Sequence, residues 1–282
     1  MVLESENTPV GVDPTRAFVA RVYDYLLGGK DNFDVDRHEA ERIIAAMPEV
    51  PDVAWENRNF LTRVCRFLAN NTEVRQFLDC GSGLPTAENV HQVVQRIHPE
   101  AKVVYVDYDP VVAAHGRVLL EENDNTKFVQ ADIFEPESIL DNPEVLGALD
   151  WSQPIALLFV AALHHYKGDR GRPAEVTKQF IDRLPPGSFV VISHVLDPDD
   201  GSEYDSTLQA TLEVIRRGSM RDITARTKTE IRELFHELEI IPSSTAGDAD
   251  VVPVASWWPD GPRYTKPTIA QQIIAGGVAR KL

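Results

Sequence analysis

Hydrophobic positions change their spacing once along the chain. Over residues 13–72 they recur every three or four positions, the period of an amphipathic helix. Phe18, Val22, Tyr25 and Leu26 form a first helical stripe after Pro14-Thr15, closed by Gly28-Gly29. A second helix is expected over 34–47, stopped by Pro48. A third is expected over 53–69, with Trp55, Phe60, Val64, Phe67 and Leu68 near one face and Asn70-Asn71 at its end. From residue 73 onward, short apolar runs alternate with helical stretches. Strands are expected at 74–79, 102–107, 126–130, 155–160 and 188–195, and helices at 85–98, 110–122, 173–184, 206–217 and 229–238. Two further strands, 250–257 and 269–279, have no strong helix between them and should form an antiparallel edge hairpin.

Strands separated by helices of this length imply βαβ units, and right-handed crossovers put helices on both faces of the sheet. The expected fold is therefore α/β: a doubly wound, mostly parallel seven-stranded sheet with an antiparallel edge hairpin. Residues 1–72 form a helical cap ahead of a domain spanning 73–282. The chain has 282 residues, 43% apolar and 26% charged, enough for a substantial core. Its 28 Lys and Arg against 44 Asp and Glu give a net charge of −16, which disfavours broad binding to nucleic acid or an anionic membrane. Two cysteines, Cys65 and Cys80, are too few for a disulfide scaffold or a Cys-rich zinc site, and no His-Glu-x-x-His occurs, so no metal site is expected. Residues 1–12 are acidic and unlike a leader, and no apolar run nears the roughly 20 residues that span a bilayer. A cytoplasmic location follows as the expectation. The oligomeric state is left open.

Three strand ends carry the candidate chemistry. The first is Asp79-Cys80-Gly81-Ser82-Gly83, a strand, an acid and a Gly-x-Gly turn before a helix. Glycines let the backbone approach a ligand, and such a turn in an open α/β sheet lies where ligands bind. A dinucleotide fingerprint would place glycine where Thr86 stands, and Asp79 would repel a pyrophosphate while suiting an ammonium. At the second strand end, Asp107 is suited to ribose hydroxyls and Tyr108 to an adenine face; Asp109-Pro110 is the better helix cap. At the third, Asp132 is either an acceptor for an adenine amino group or a loop cap, and Ile133 can wall the base.

This order of acids and glycines resembles the class I S-adenosylmethionine-dependent methyltransferases, although Pro85 occupies the place of the usual third glycine. Nearly the whole chain resembles a narrower family of S-adenosyl methyltransferases of unassigned substrate. The resemblance rests on YDYLLGGKDNF at 23–33 with Asp36-Arg37, QFLD-x-GSGLPT at 76–86, VYVDYDP at 104–110 and GGVARK at 276–281. It implies a Rossmann-like methyltransferase fold, S-adenosylmethionine as cofactor and methyl transfer to an acceptor that it does not identify; the net acidity favours a small molecule over RNA or DNA. Asp79, Gly81, Ser82 and Gly83 would hold the amino-acid part, Asp107 and Tyr108 the ribose and base, and Asp132 with Ile133 the adenine. Tyr23, Lys30 and Asn32 are expected to reach toward the sulfonium ligand, the alternative being a core tyrosine beside a glycine cap. Arg58 is either a clamp for the methionine carboxylate or an ordinary ion-pair partner. His164 and His165 are candidate bases after the fourth strand, and His194 a weaker one; hydrogen-bonded structural histidines are the alternative. Trp257-Trp258 is either an acceptor wall or core packing. Two rival functions stay open, a nicotinamide-dependent oxidoreductase and a non-enzymatic nucleoside-binding sensor or scaffold.

Overall fold

Five apolar runs with strand propensity line up in parallel because helices return the chain to the same sheet end after each. The computed structural model describes residues 15–85, 88–119, 123–218, 223–245, 247–259, 261 and 267–282. The chain begins with helices α1 (Val19–Leu26), α2 (Asp34–Ala46) and α3 (Val50–Asn71). Strand β1 (Gln76–Cys80), helix α4 (Val90–Gln95), strand β2 (Lys102–Asp107), helix α5 (Pro110–Leu119) and strand β3 (Thr126–Gln130) follow. Two short helices, α6 (Glu137–Leu140) and α7 (Pro143–Ala148), lead to β4 (Ala156–Val160) and a 3-10 turn at Leu163–His165. Helix α8 (Arg172–Arg183), strand β5 (Phe189–Val195), helices α9 (Glu203–Arg216) and α10 (Lys228–Glu233) and strand β6 (Glu239–Ile240) come next. The described chain closes with β7 (Val252–Pro253), α11 (Ala270–Ile273) and β8 (Ile274–Arg280).

The sheet has eight strands in the order β3-β2-β1-β4-β5-β8-β6, with β7 also paired to β8. Strands β1 to β5 are parallel, and β8 runs antiparallel to β5, β6 and β7. The expected mostly parallel sheet with antiparallel strands at one side is present. The eighth strand arises because β6 and β7 share the outer flank of β8, β6 opposite Ala279 and Arg280 and β7 opposite Ala275 and Gly276. The 250–257 run pairs only over Val252–Pro253, since Pro253 has no N–H to donate and the chain turns into a 3-10 helix at Val254–Ser256. The expected strand at 269–279 opens with a helical turn, α11, before β8 begins. Helix α4 starts at Val90, later than expected, with Asn89 and Gln92 forming a capping box; Thr86 and Ala87 lie outside the described residues, as do 120–122 at the expected end of α5.

Alternation along the strands divides the core in two. Phe77, Val103, Tyr105 and Leu158 face one way and join a cluster with Phe60, Val64 and Leu68 of α3. Leu78, Val104, Leu157 and Phe159 face the other way and pack with Val176 and Phe180 of α8. Asp79 has the pleat direction of Phe77, so its side chain lies on the α3 side. Trp257 is fully buried and meets Phe60 and Phe67 edge-on at 5.8 and 5.3 Å, while Arg63 donates to the carbonyls of Val254 and Trp257. Of the two readings of Trp257, packing is the observed one.

Helices α1 and α2 are fastened by a buried charge pair. The Arg21 Nε lies 3.1 Å from the Asp36 Oδ2, and both side chains are excluded from solvent. Arg21 sits against the rings of Phe18 and Phe33 at 4.7 and 4.9 Å, and the Asp36 carboxylate accepts from the backbone N–H groups of Phe18 and Phe33. Removing one partner leaves a buried uncompensated charge. Asp36→Ala is therefore expected to cost about 3–5 kcal/mol in urea unfolding; a loss below about 1 kcal/mol, the range of exposed pairs, would contradict this account.

Candidate functional site

The strand order reverses at β1, between β2 and β4, and the sheet opens a cleft beyond the strand ends there. Gly81 and Ser82 donate their N–H groups to the Val106 carbonyl, which pulls the turn after β1 across the end of β2. Gly81 has φ +82°, and a Cβ on it would stand 2.7 Å from the Ala162 Cβ, so both the turn and the close approach require glycine. The Asp107 carboxylate secures the same loop from below. Its Oδ2 accepts from the Gly83 N–H at 2.9 Å and its Oδ1 from the Asp109 N–H at 3.0 Å. Asp109 caps α5 by accepting from the Val111 N–H, as its place before Pro110 suggests.

This cavity encloses about 960 Å³, its mouth included. Asp79, Gly81, Ser82, Gly83, Asp107 and Tyr108 line it on the β1–β2 side. Asp132 and Ile133 close the β3 side, and Tyr23, Arg58 and His165 face it from the α1, α3 and β4 segments. Asp132 also accepts from the Phe134 N–H at 2.9 Å, so its loop-capping role and its place in the lining coexist. Arg58 donates to the carbonyl of Glu88 and to Asn89, while its buried Nε has no hydrogen-bond partner among the described residues. The Ser82 hydroxyl is likewise buried without one.

Asp79 is the least compensated acid in the cleft. It is 4% exposed, and no described group donates a hydrogen bond to its carboxylate. Burial pushes its pKa up to about 7, against the pull of the Arg58 charge and with the push of Asp107. Burial also lifts Asp107, to about 6, opposed by the Asp109 and Gly83 N–H groups.

Lys30 and Asn32 are not brought to this cavity. Lys30 is exposed, and the Asn32 amide donates to Asp24 at 2.8 Å and to the Gly29 carbonyl, while Arg37 donates back to Asn32. Asp24 also accepts from the Asp31 N–H. A Cβ at Gly29 would fall 2.0 Å from the Asp24 carboxylate, so this loop is wound around that acid. The 23–33 motif is thus a self-contained turn that orients α1, and only Tyr23 of the three reaches the cleft.

Tyr23 belongs to a relay that spacing alone did not reveal. Its hydroxyl donates to the Ala54 carbonyl at 2.9 Å and accepts from the Asn57 amide at 3.1 Å. The Asn57 Oδ1 accepts from the Ser193 hydroxyl at 2.6 Å, and that hydroxyl accepts from the Ala161 N–H at 2.9 Å. Ala161 has φ +54°, a left-handed conformation that is unusual for alanine and costs free energy. The relay therefore ties α1 and α3 to a strained residue after β4. One cue was available: Asn57 is a polar residue in register with Val53, Leu61 and Val64 on the apolar face of α3.

His164 and His194 are buried, and His165 is half-buried. The His164 and His165 rings lie tilted to each other at 4.3 Å, and His164 meets His194 edge-on at 5.3 Å. Burial holds His164 well below the usual histidine range and lowers His194 to about 3. The His194 Nδ1 is hydrogen-bonded to the Val195 carbonyl, the structural alternative for that residue. His165 lines the cleft, whereas His164 lines an adjoining apolar cavity that shares Val19, Tyr23, Ala161 and His165 with it.

The S-adenosyl methyltransferase family model matches residues 5–282 of this sequence. The chain belongs to that family. It is similar to the crystal structure of a candidate methyltransferase from Thermobifida fusca YX, with 38% identity over 98% of this chain and 99% of that one and a TM-score of 0.88. It is also similar to a DUF574 family protein from Streptomyces avermitilis MA-4680, with 31% identity, 96% and 99% coverage and a TM-score of 0.86. No curated protein matches it. The family's cofactor is S-adenosylmethionine, and the cleft fits such a group. It offers an uncompensated carboxylate for an ammonium, an orphaned guanidinium Nε and hydroxyl for a carboxylate, and a glycine turn that leaves room for backbone contact. Among the described residues no helix is long and apolar enough to cross a membrane, and no cluster of three or more His, Cys, Asp or Glu is placed to hold a metal.

Asp79 makes the unliganded protein pH-sensitive in a defined direction. Its folded pKa lies above its unfolded value, so between about pH 4 and pH 7 the folded state holds a proton that the unfolded chain releases. Stability from this group falls as pH rises through that window. Asp79→Asn should thus exceed the parent at pH 8 by on the order of 3 kcal/mol, with the gap closing toward pH 4. Urea unfolding of both proteins across pH, without ligand, measures the difference; equal stability at pH 8 would contradict the assignment.

Proposed function

We propose that this protein transfers the methyl group of S-adenosylmethionine to a small-molecule acceptor, as a methyltransferase of the type EC 2.1.1.-. The observation that carries the reading is the buried, uncompensated Asp79 carboxylate beside the Gly81–Gly83 turn. In this reading Asp79 and the turn hold the amino group, and the Arg58 Nε with the Ser82 hydroxyl take the carboxylate. Asp107 accepts from the ribose hydroxyls through the lone pairs that its two loop hydrogen bonds leave free. Tyr108, Asp132 and Ile133 enclose the adenine. Residues 1–72 act as a cap and 73–282 as the cofactor domain, with a cytoplasmic site of action.

When bound, the cofactor supplies an activated methyl group, and the protein's task is chiefly orientation. Tyr23, fixed by Asn57 and Ala54, forms the wall between cofactor cleft and apolar cavity. His165 sits at the junction of the two and is the candidate proton acceptor for an acceptor group, with His164 behind it. A nicotinamide dinucleotide is disfavoured because its pyrophosphate would meet Asp79 and Asp107. The open cavity beside the cleft favours turnover over a sensor, which needs no acceptor room.

Calorimetric titration with S-adenosylmethionine, S-adenosylhomocysteine and NAD tests the reading. Both sulfur nucleosides should bind and NAD should not; the reverse would overturn it. Asp107→Ala should weaken S-adenosylhomocysteine by about ten- to a hundredfold, the loss of charge-assisted hydrogen bonds. Affinity should also rise with pH up to about pH 7, by at most about tenfold per unit, because Asp79 must release its proton to hold an ammonium. Asp79→Asn should remove the part of that rise above about pH 6, where Asp107 is already ionised.

A further inference from the structure

The cavity adjoining the cleft encloses about 790 Å³, its mouth and the solvent in it included. Its walls come from the elements that surround the strand ends: Val22 and Leu26 of α1, Ile43 of α2, Val50 of α3, and Leu208 and Leu212 of α9. Among the described residues that line it there is no Asp, Glu, Lys or Arg. Its polar groups are few: the imidazoles of His164 and His165, the Tyr23 ring that carries the relay hydroxyl, and the Thr211 side chain; His165 and Tyr23 also line the cleft. Thr211 already donates to the Thr207 carbonyl within α9. His164 is different. It is 4% exposed, and its Nδ1 has no hydrogen-bond partner among the described residues. A buried polar atom left without a partner costs free energy, and this one belongs to a residue that lines the chamber.

We propose that this chamber is the acceptor site and that it takes an uncharged, largely apolar ring compound bearing a single hydrogen-bonding group, seated against His164 and His165. The proposal rests on the methyltransferase reading above, because the chamber's link to the cleft is what makes its occupant an acceptor. Continuity is direct: Val19, Tyr23, Ala161 and His165 line both spaces, so a molecule in the chamber borders the cofactor cleft at these residues. Charge selects against ionic acceptors. A carboxylate or ammonium entering this lining would lose its hydration with no opposite charge to replace it. His164 does not supply one, since burial holds it well below the usual histidine range and so neutral. The cap thus shares in setting specificity: α1, α2 and α3 contribute apolar wall together with α9, and the segment after β4 contributes the imidazoles.

Ligand-observed NMR with 1-naphthol and 1-naphthoate, in the presence and absence of saturating S-adenosylhomocysteine, tests the chamber without turnover. 1-Naphthol should bind at least about tenfold more tightly than 1-naphthoate, a difference of about 1.4 kcal/mol. Two filling variants from different walls, Val50→Trp and Leu26→Trp, should each weaken 1-naphthol by about tenfold or more. Both positions are partly exposed, so a larger ring can be accommodated without entering the core. Each variant should keep S-adenosylhomocysteine affinity within about twofold by calorimetry, well inside the 1.4 kcal/mol that marks tenfold. Equal binding of naphthol and naphthoate, or unchanged naphthol binding in both variants, would overturn the chamber proposal while S-adenosylhomocysteine binding left the cofactor reading intact. Failure of S-adenosylhomocysteine to bind the parent protein would sink the cofactor reading instead. Binding of the naphthol to a site that neither tryptophan blocks counts against the proposal.

Discussion

The structure depends on keeping two carboxylates out of water at adjacent strand ends. Asp79 and Asp107 sit where β1 and β2 finish, beneath α3 and beside α1, and burial raises both toward neutrality. Holding charge in such a place works against folding. Asp107 offsets its cost with hydrogen bonds to the Gly83 and Asp109 N–H groups. Asp79 has no such donor and only the field of Arg58. The arrangement is reasonable for a protein that completes its hydrogen bonding with a cationic ligand, and it links the fold to the cofactor more firmly than strand order alone.

The cap and the sheet are parts of one device. Helix α3 contributes Phe60, Val64 and Leu68 to the core of the sheet and Asn57 and Arg58 to the cleft. Helix α1 is aimed by the loop wound around Asp24 and fastened to α2 by Arg21 and Asp36. Tyr23 then carries that orientation through Asn57 and Ser193 to Ala161, whose left-handed backbone shapes the exit of β4. The positions of Ala161 and His165 are thus set partly by residues well over a hundred positions away in sequence.

The strand pattern was legible because parallel strands buried on both faces must be continuous apolar runs, as KVVYVD is, and because acids at strand ends break those runs visibly. The acids and the glycine turn could be read for the same reason. Other features were hidden by physics that spacing does not encode. Strand β6 has two residues, too short for any periodicity, and β7 is cut off at Pro253. Lys30 and Asn32 lie in a motif that resembles a site, yet Asn32 serves Asp24, a contact that only the loop's three-dimensional path creates. The relay through Ser193 joins elements distant in sequence, and no local pattern announces it. The apolar chamber is built from residues that each read as ordinary core; its shape is a property of their packing.

The most direct test of the central claim is the carboxyl-carbon NMR titration of Asp79, with Asp79→Asn used to assign the resonance. In the unliganded protein Asp79 should titrate near 7, and saturation with S-adenosylhomocysteine should carry it below the usual carboxylate range as an ammonium replaces the missing partner. An Asp79 that titrates as an ordinary surface carboxylate in the free protein, and does not move on ligand binding, would contradict the account.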